Sequence, residues 1–328
     1  MLAPRLVVRM LSIGIMAFSA GVVSGQTTST GSGQAYPERP IRVYSPQIGT
    51  SPDVVLRLIA EAVAGNLGQA MIVESRGVIG VEIAAQAPPD GYTLLHYSNV
   101  LWFMPLFRDN VRWDPVRDFS PIALAASTPN LVVVHPALPV KSIKALIALA
   151  KARPGALNYG SSSTGASNHV AAELFKAMAG VTIVRINYKG GAQAVSDLIA
   201  GQVHLMFSPA GTATPHVRSG RLRALAVSSA EPSALAPGLP TVAASGVPGY
   251  ESRSLSGLFA PAKTPVAIIK RLNQEVVRAL NRTDVKEKLF KSGMEAVASS
   301  PEEFAATIKS EMSRMDKVIK DAGLREKG

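Results

Sequence analysis

The sequence predicts an α/β fold of two similar lobes with a hinge and a central cleft. Three observations carry that prediction. Short apolar strand candidates alternate with amphipathic helix candidates along most of the chain, and loops of Gly, Ser and Thr recur at the strand ends. The 328 residues exceed the size at which a single core usually stops growing. Two helices near the C-terminal end have no strand partners of their own and need the first lobe's sheet to lie on. The chain therefore leaves the first lobe, builds the second and returns, which creates a cleft.

Taken in order, residues 1–25 read as a signal peptide. Arg5 and Arg9 precede an apolar run over 10–23 that is short for a membrane span, and a Ser/Thr/Gly tether follows over 26–35. A strand is predicted at 40–45. Ser51 reads as the N-cap and Pro52 as N1 of a helix to 66, with Asp53 in its first turn and Gly68 as its stop. A second strand at 70–74 leads through the glycine-bearing loop 75–80 into a helical stretch at 81–86. Asp90 and Gly91 turn the chain into a strand at 92–95. The apolar stretch 99–107, with Trp102 and Phe103, reads either as core or as a cover over a ligand's apolar part. Residues 113–119 read as a surface turn, and 131–134 as the next strand.

A second α/β run begins near Val140. Ser142 caps a helix at 143–151, and a strand at 157–159 feeds the segment SSSTGASNHVAAELF. Glycines let such a loop turn sharply, hydroxyls donate hydrogen bonds, and a helix start leaves N–H groups unpaired. A small anion can be held there without lysine or arginine. Gly180 ends that helix, a strand follows at 182–187, and YKGG at 188–191 opens a helix at 192–200. A strand at 203–207, a loop at 208–214 opening a helix to 219, and a strand at 222–228 complete the run. Residues 230–250 carry many Pro and Gly and read as a linker, and 255–260 as a strand crossing back. Thr264 with Pro265, and Ser300 with Pro301 and Glu303, start the two closing helices. The last of these turns Phe304, Ile308, Met312 or Met315, and Ile319 inward.

Charge and chemistry narrow the function. The formal net charge is +11, but the basic residues are scattered, without a basic run interleaved with aromatics. That favours anionic small partners over nucleic acid. The absence of cysteine excludes disulfides, thiolate metal sites and a cysteine nucleophile. None of the five histidines forms H-E-x-x-H or sits at metal-ligand spacing, GxGxxG is absent from the first βα turn, and no cofactor is implied. His169 and Glu173, four apart on one helix, are the best support for a carboxylate-acting hydrolase or isomerase, although a surface hydrogen bond explains them as well.

Ordered landmarks run through the chain: YPERPIR at 36–42, PDGYTLL at 89–95, WDPVRDFSPI at 113–122, LNYGSSSTGASNHVAAELF at 157–175, YKGGAQAVSDLIAGQV at 188–203, LPTVAASGVPGYE at 239–251 and GLFAPAKTP at 257–265. In these the chain resembles the substrate-binding proteins of tripartite tricarboxylate transporters, the TctC or Bug group. The resemblance implies a periplasmic Venus-flytrap receptor that binds a small organic acid between its lobes and works as a monomer. It further implies delivery to a two-component membrane permease; a membrane sensor is an alternative partner that the same fold would serve. Lobe one would comprise 36–136 and 258–328, and lobe two 137–257.

The implied ligand contacts fall in three loops and one tyrosine. Lobe one would supply Gln47, Gly49, Thr50, Ser51 and Asp53, then Val78, Ile79 and Gly80. Lobe two would supply Ser161, Ser163, Thr164, Gly165, Ala166 and Tyr188. The sequence departs from the family pattern at Thr50, Val78, Val81 and Ser163, which replace glycines, and at Leu255, which replaces a tryptophan. The first-lobe clamp is thereby reshaped.

Overall fold

The structure, a computed structural model, describes residues 36–325; the expected signal peptide and tether lie outside the described residues. Strands β1 (Ile41–Ser45), β2 (Met71–Ser75) and β3 (Thr93–Ser98) alternate with helices α1 (Ser51–Leu67), α2 (Gly77–Gln86) and α3 (Val100–Phe107). After β4 (Phe119–Val134) and α4 (Ile143–Ala152) the pattern repeats. Strands β5 (Asn158–Ser161), β6 (Val184–Asn187) and β7 (Leu205–Pro209) alternate with α5 (Ser167–Ala179), α6 (Gly191–Ile199) and α7 (Ala210–Arg218). The chain ends through β8 (Arg223–Val227), β9 (Arg253–Pro261), α8 (Val266–Asn281), α9 (Thr283–Lys291), β10 (Glu295–Ala296) and α10 (Pro301–Ala322).

The strand pairing divides into two halves that share β4. In the first, β1 is parallel to β2 and β3, β3 is antiparallel to β9, and β9 pairs with β4 from Phe119 to Pro129. From Asn130 to Val134, β4 pairs instead with β7 and β8, while β5 is parallel to β6 and β7. The orders β2-β1-β3-β9-β4 and β6-β5-β7-β4-β8 match element for element. In each half a crevice therefore opens at the carboxyl ends of the parallel strands, beside the strand where the order reverses.

Several elements differ from the sequence expectation, each for a local reason. Strand β4 spans 16 residues rather than the four expected, and it carries two prolines. Pro121 sits at a register shift, and Pro129 is the last residue paired with β9, positions where a missing N–H is tolerated. Helix α2 begins at Gly77 and absorbs the expected glycine loop, and α7 likewise takes up Ala210 to Thr214. The caps of α1 and α8 fall one residue away, on Thr50 and Pro265. Thr264 turns its hydroxyl back to donate to the Pro261 carbonyl at 2.8 Å. Helix α9 and β10 were not expected as separate elements. Trp113 is buried rather than on a surface turn, its indole N–H donating to the Leu101 carbonyl at 2.8 Å.

Other terminators stand as read. Gly68 and Gly180 end α1 and α5 in the left-handed conformation, and Ser142 accepts from the Ala145 N–H. Ser300 and Glu303 form a reciprocal capping box on α10. That helix buries Phe304, Ile308, Met315 and Ile319, with Met312 at the edge, and α8 and α10 both pack on β4. Trp102 and Phe103 belong to the core, with Trp102 set among Phe103, Phe259 and Phe304. Each such fully buried side chain contributes roughly 1.5–3 kcal/mol.

Candidate functional site

The ends of β1 and β2 are tied together by one carboxylate. Asp53 is 1% exposed and accepts from the Gly49 N–H at 3.1 Å, the Ser45 hydroxyl at 2.9 Å, the Ser75 hydroxyl at 3.0 Å and Arg57 Nε at 3.0 Å. Burial raises its pKa, but the hydrogen bonds from Arg57, Gly49, Ser45 and Ser75 outweigh it, so the carboxyl lies below its ordinary range. Thr50 donates its hydroxyl to the Gln47 carbonyl at 2.7 Å and closes the same loop. The loop is thus held rigid by groups that face inward, and the start of α1 is left open.

The matching loop of the second half is built differently. Ser161, at the end of β5, is fully buried and accepts from Arg185 Nε at 2.8 Å. Asn168 Oδ1 accepts from the Ser162 hydroxyl at 3.0 Å and from its N–H at 3.3 Å, which fixes the turn before α5. Thr164 accepts from Arg185 at 3.2 Å and from Arg108 at 3.2 Å, so this loop is bonded to the residue that follows α3. Gly165 has φ +80°, and a Cβ there would lie 2.9 Å from the Met104 backbone nitrogen. Only glycine fits that crossing of the two halves without displacement.

Between these loops lies a cavity of about 330 Å³. From the first half it is lined by Pro46, Gln47, Thr50, Pro52, Gly77, Val78, Tyr97, Ser98, Val100 and Met104. The second half contributes Ser162, Ser163, Ala166, Lys189, Gly190 and Gly191. The starts of α1, α2, α5 and α6 all border it, and none of the four is capped by a side chain. Unpaired N–H groups and the positive ends of four helix dipoles thus surround one space. Lys189 is its single charged lining residue, and no acidic side chain lines it. A larger groove of about 480 Å³ follows α9 and β10, shares no lining residue with the strand-end cavity, and mixes Glu287 and Glu295 with Lys286 and Lys291. The strand-end cavity is the one with anion chemistry.

Of the residues expected at the site, Gln47, Thr50, Val78, Ser163 and Ala166 line this cavity together. Gly49 and Asp53 shape the first loop from behind, and Ser51 stands in the first turn of α1. Ile79 points to solvent at 66% exposure, while Gly80 lies against the Tyr44 and Arg76 side chains. Ser161, Thr164 and Gly165 carry the second-half loop, and the Tyr188 N–H donates to the Ser161 carbonyl at 2.8 Å. Sequence reasoning missed the junction of β3 and α3, namely Tyr97, Ser98, Val100 and Met104, because it ended that strand at Leu95. The available signal was positional: β3 is the third parallel strand, and its carboxyl end opens on the same crevice as β1.

His169 and Glu173 do not pair on a helix surface. Both are under 5% exposed. His169 Nδ1 accepts from the Gly165 N–H at 3.2 Å, with its ring centroid 4.7 Å from that of Phe107. Burial, then Arg185, Lys176 and Arg108, hold its pKa well below the ordinary value. Glu173 accepts from the Tyr159 hydroxyl and from Lys176. Both are thus committed to structural partners. Among the described residues no group of His, Asp and Glu is arranged to hold a metal ion.

The model of the tripartite tricarboxylate transporter family receptor matches residues 55–324. A Pseudomonas sp. (strain P51) protein encoded in the tcbD-tcbE intergenic region is 35% identical over 317 residues, covering 94% of each chain. Rpa4515 of R. palustris, solved with adipate, superposes with a TM-score of 0.80 at 35% identity, over 88% of this chain and 98% of that one. The periplasmic binding protein BugD superposes with a TM-score of 0.78 at 30% identity, over 89% of this chain and 100% of that one.

Proposed function

This chain belongs to the tripartite tricarboxylate transporter receptor family, and from that premise we propose that it captures a small organic carboxylate in the cleft between its two lobes. Membership makes it a periplasmic solute receptor of two-lobed α/β fold, not an enzyme. The observation that carries the ligand class is the convergence of four uncapped helix starts, two from each half, on a cavity whose one charged side chain is Lys189. Such a site stabilises negative charge through N–H groups and dipoles. The 35% identical protein solved with adipate supports a carboxylate with a short carbon chain. The lining residues Gln47, Thr50, Val78, Ser163 and Ala166 make the direct contacts. Gly49, Ser51, Asp53, Ile79, Gly80, Ser161, Thr164, Gly165 and Tyr188 set the loops that present them.

Capture works by closure. The expected bounds give lobe one as 36–136 with 258–328 and lobe two as 137–257. Strand pairing moves both crossings a few residues earlier, to where β4 exchanges partners between Pro129 and Asn130 and where the chain returns at Ser252, and the pivot lies there. Two backbone N–H groups support the pivot: Ser228 donates to the Asn130 carbonyl at 2.8 Å, and Ser252 donates to the Ser228 carbonyl at 2.9 Å. The loaded monomer then presents both lobes to a two-component membrane permease. The test is a thermal-shift and calorimetric screen of ligand-stripped protein with adipate, malate, citrate and adipamide. A saturable rise in melting temperature with an acid and none with the neutral amide is the expected result. A response to adipamide alone would sink the carboxylate reading.

A further inference from the structure

Tyr97 is the one tyrosine that borders the cavity, at the carboxyl end of β3, and it is 5% exposed. Two fully buried phenols of this fold are satisfied internally, Tyr250 donating to the Ala171 carbonyl at 2.9 Å and Tyr159 to Glu173, and the half-buried Tyr36 donates to the Gly91 carbonyl at 2.7 Å. Among the described residues nothing hydrogen-bonds the Tyr97 hydroxyl. Although the ring is buried, the hydroxyl is not one of the sealed unpaired atoms of the core, so it keeps access to the cavity and can be met there by solvent or by a ligand. The neighbouring walls, Val78, Val100 and Met104, are apolar and offer it no partner.

Building on the carboxylate reading above, we infer that Tyr97 is a specificity residue whose hydroxyl donates to an oxygen of the bound acid. The first-half wall then grips its ligand in two ways. The open N–H groups of α1 and α2 supply an undirected positive field, whereas the Tyr97 hydroxyl asks for an acceptor at one place. Burial pushes the phenol up to about 12, so at neutral pH it keeps its proton and acts as a donor beside an anion. Val100 and Met104 exclude water around the bond and favour a hydrocarbon body next to the gripped oxygen.

The test is Tyr97→Phe, which deletes the hydroxyl and keeps the ring, with adipate, malate and adipamide as probes for both proteins. Wild type is expected to bind an acid, and Y97F to bind the same acid about 10-fold more weakly. The ligand-free melting temperature of Y97F is expected to stay equal, because the hydroxyl has no protein partner to lose. Equal affinity in the two proteins overturns the role of Tyr97 and leaves the carboxylate reading standing. Weaker binding together with a lowered ligand-free melting temperature marks a packing role and also overturns it. Wild type that binds no acid overturns the underlying reading, and this inference with it.

Discussion

At the scale of single residues, the fold commits its buried Asp53, His169 and Glu173 to structural partners and not to the ligand. Asp53 is the clearest case. It sits in the first turn of α1, where an acid is favoured by the helix dipole, yet its four donor residues make it the knot between β1, β2 and the first loop. His96, on β3, is wholly buried, and desolvation lowers its pKa to about 3 against the opposing effects of Asp53 and the Pro52 backbone. The sign follows directly. The unfolded chain takes up a proton on this ring near pH 6.5 and the folded chain does not. Stability is therefore fully present above about pH 6.5 and is lost as pH falls toward 3. Melting curves from pH 7 to pH 5 are expected to show a falling midpoint, and His96→Gln to flatten that fall. A wild-type midpoint that rises on acidification would contradict the burial argument.

At the scale of elements, closely packed glycines decide what can move. Gly165 combines a left-handed backbone with contact to the Met104 nitrogen, so it is where the α5 loop of one half meets α3 of the other. Gly165→Ala is expected to cost about 1–2 kcal/mol from the backbone alone. The added methyl obstructs the closed crossing, so calorimetry should show ligand affinity falling further than the ligand-free melting temperature suggests. A loss confined to the melting temperature would place this crossing outside the closing motion. The parallel βα units were legible in the sequence because their signals are local: Gly68, Gly180, Ser142 and Ser300 act within a turn of where they stand. Strand β4 was not legible. Its length is set by partners from distant parts of the chain, β9 along one stretch and β7 with β8 along the other. The site divides the same way. Thr50, Val78 and Ser163 could be read from small-residue loops, whereas Tyr97 looks like any core aromatic until β1 and β3 are laid side by side.

At the scale of the whole molecule, the scattered charge acquires a direction. A net charge of +11 raises the local concentration of anions generally, but among the cavity's lining residues only Lys189 carries charge. Because it is exposed, its contribution is modest and screened by salt. Lys189→Ala is expected to weaken dicarboxylate binding by up to about 5-fold in dilute buffer. The difference from wild type should shrink as salt is added. Calorimetric titrations at low and high ionic strength measure both, and a salt-independent difference would show that the side chain acts by contact and not by charge.

The shared strand β4 also sets an order of events during synthesis. Everything the second half pairs, from Asn130 on β4 through β8, emerges in one continuous stretch and can assemble as it appears. The first half emerges earlier but stays incomplete, because β9 must slot between β3 and β4, and β9 begins only at Arg253. Until then β3 and most of β4 present open edges, the kind of surface on which chains stick to one another. The last-made quarter of the protein is thus the piece that closes the half made first. A nascent chain truncated before Arg253 is left with a finished second half beside an unfinished, aggregation-prone first.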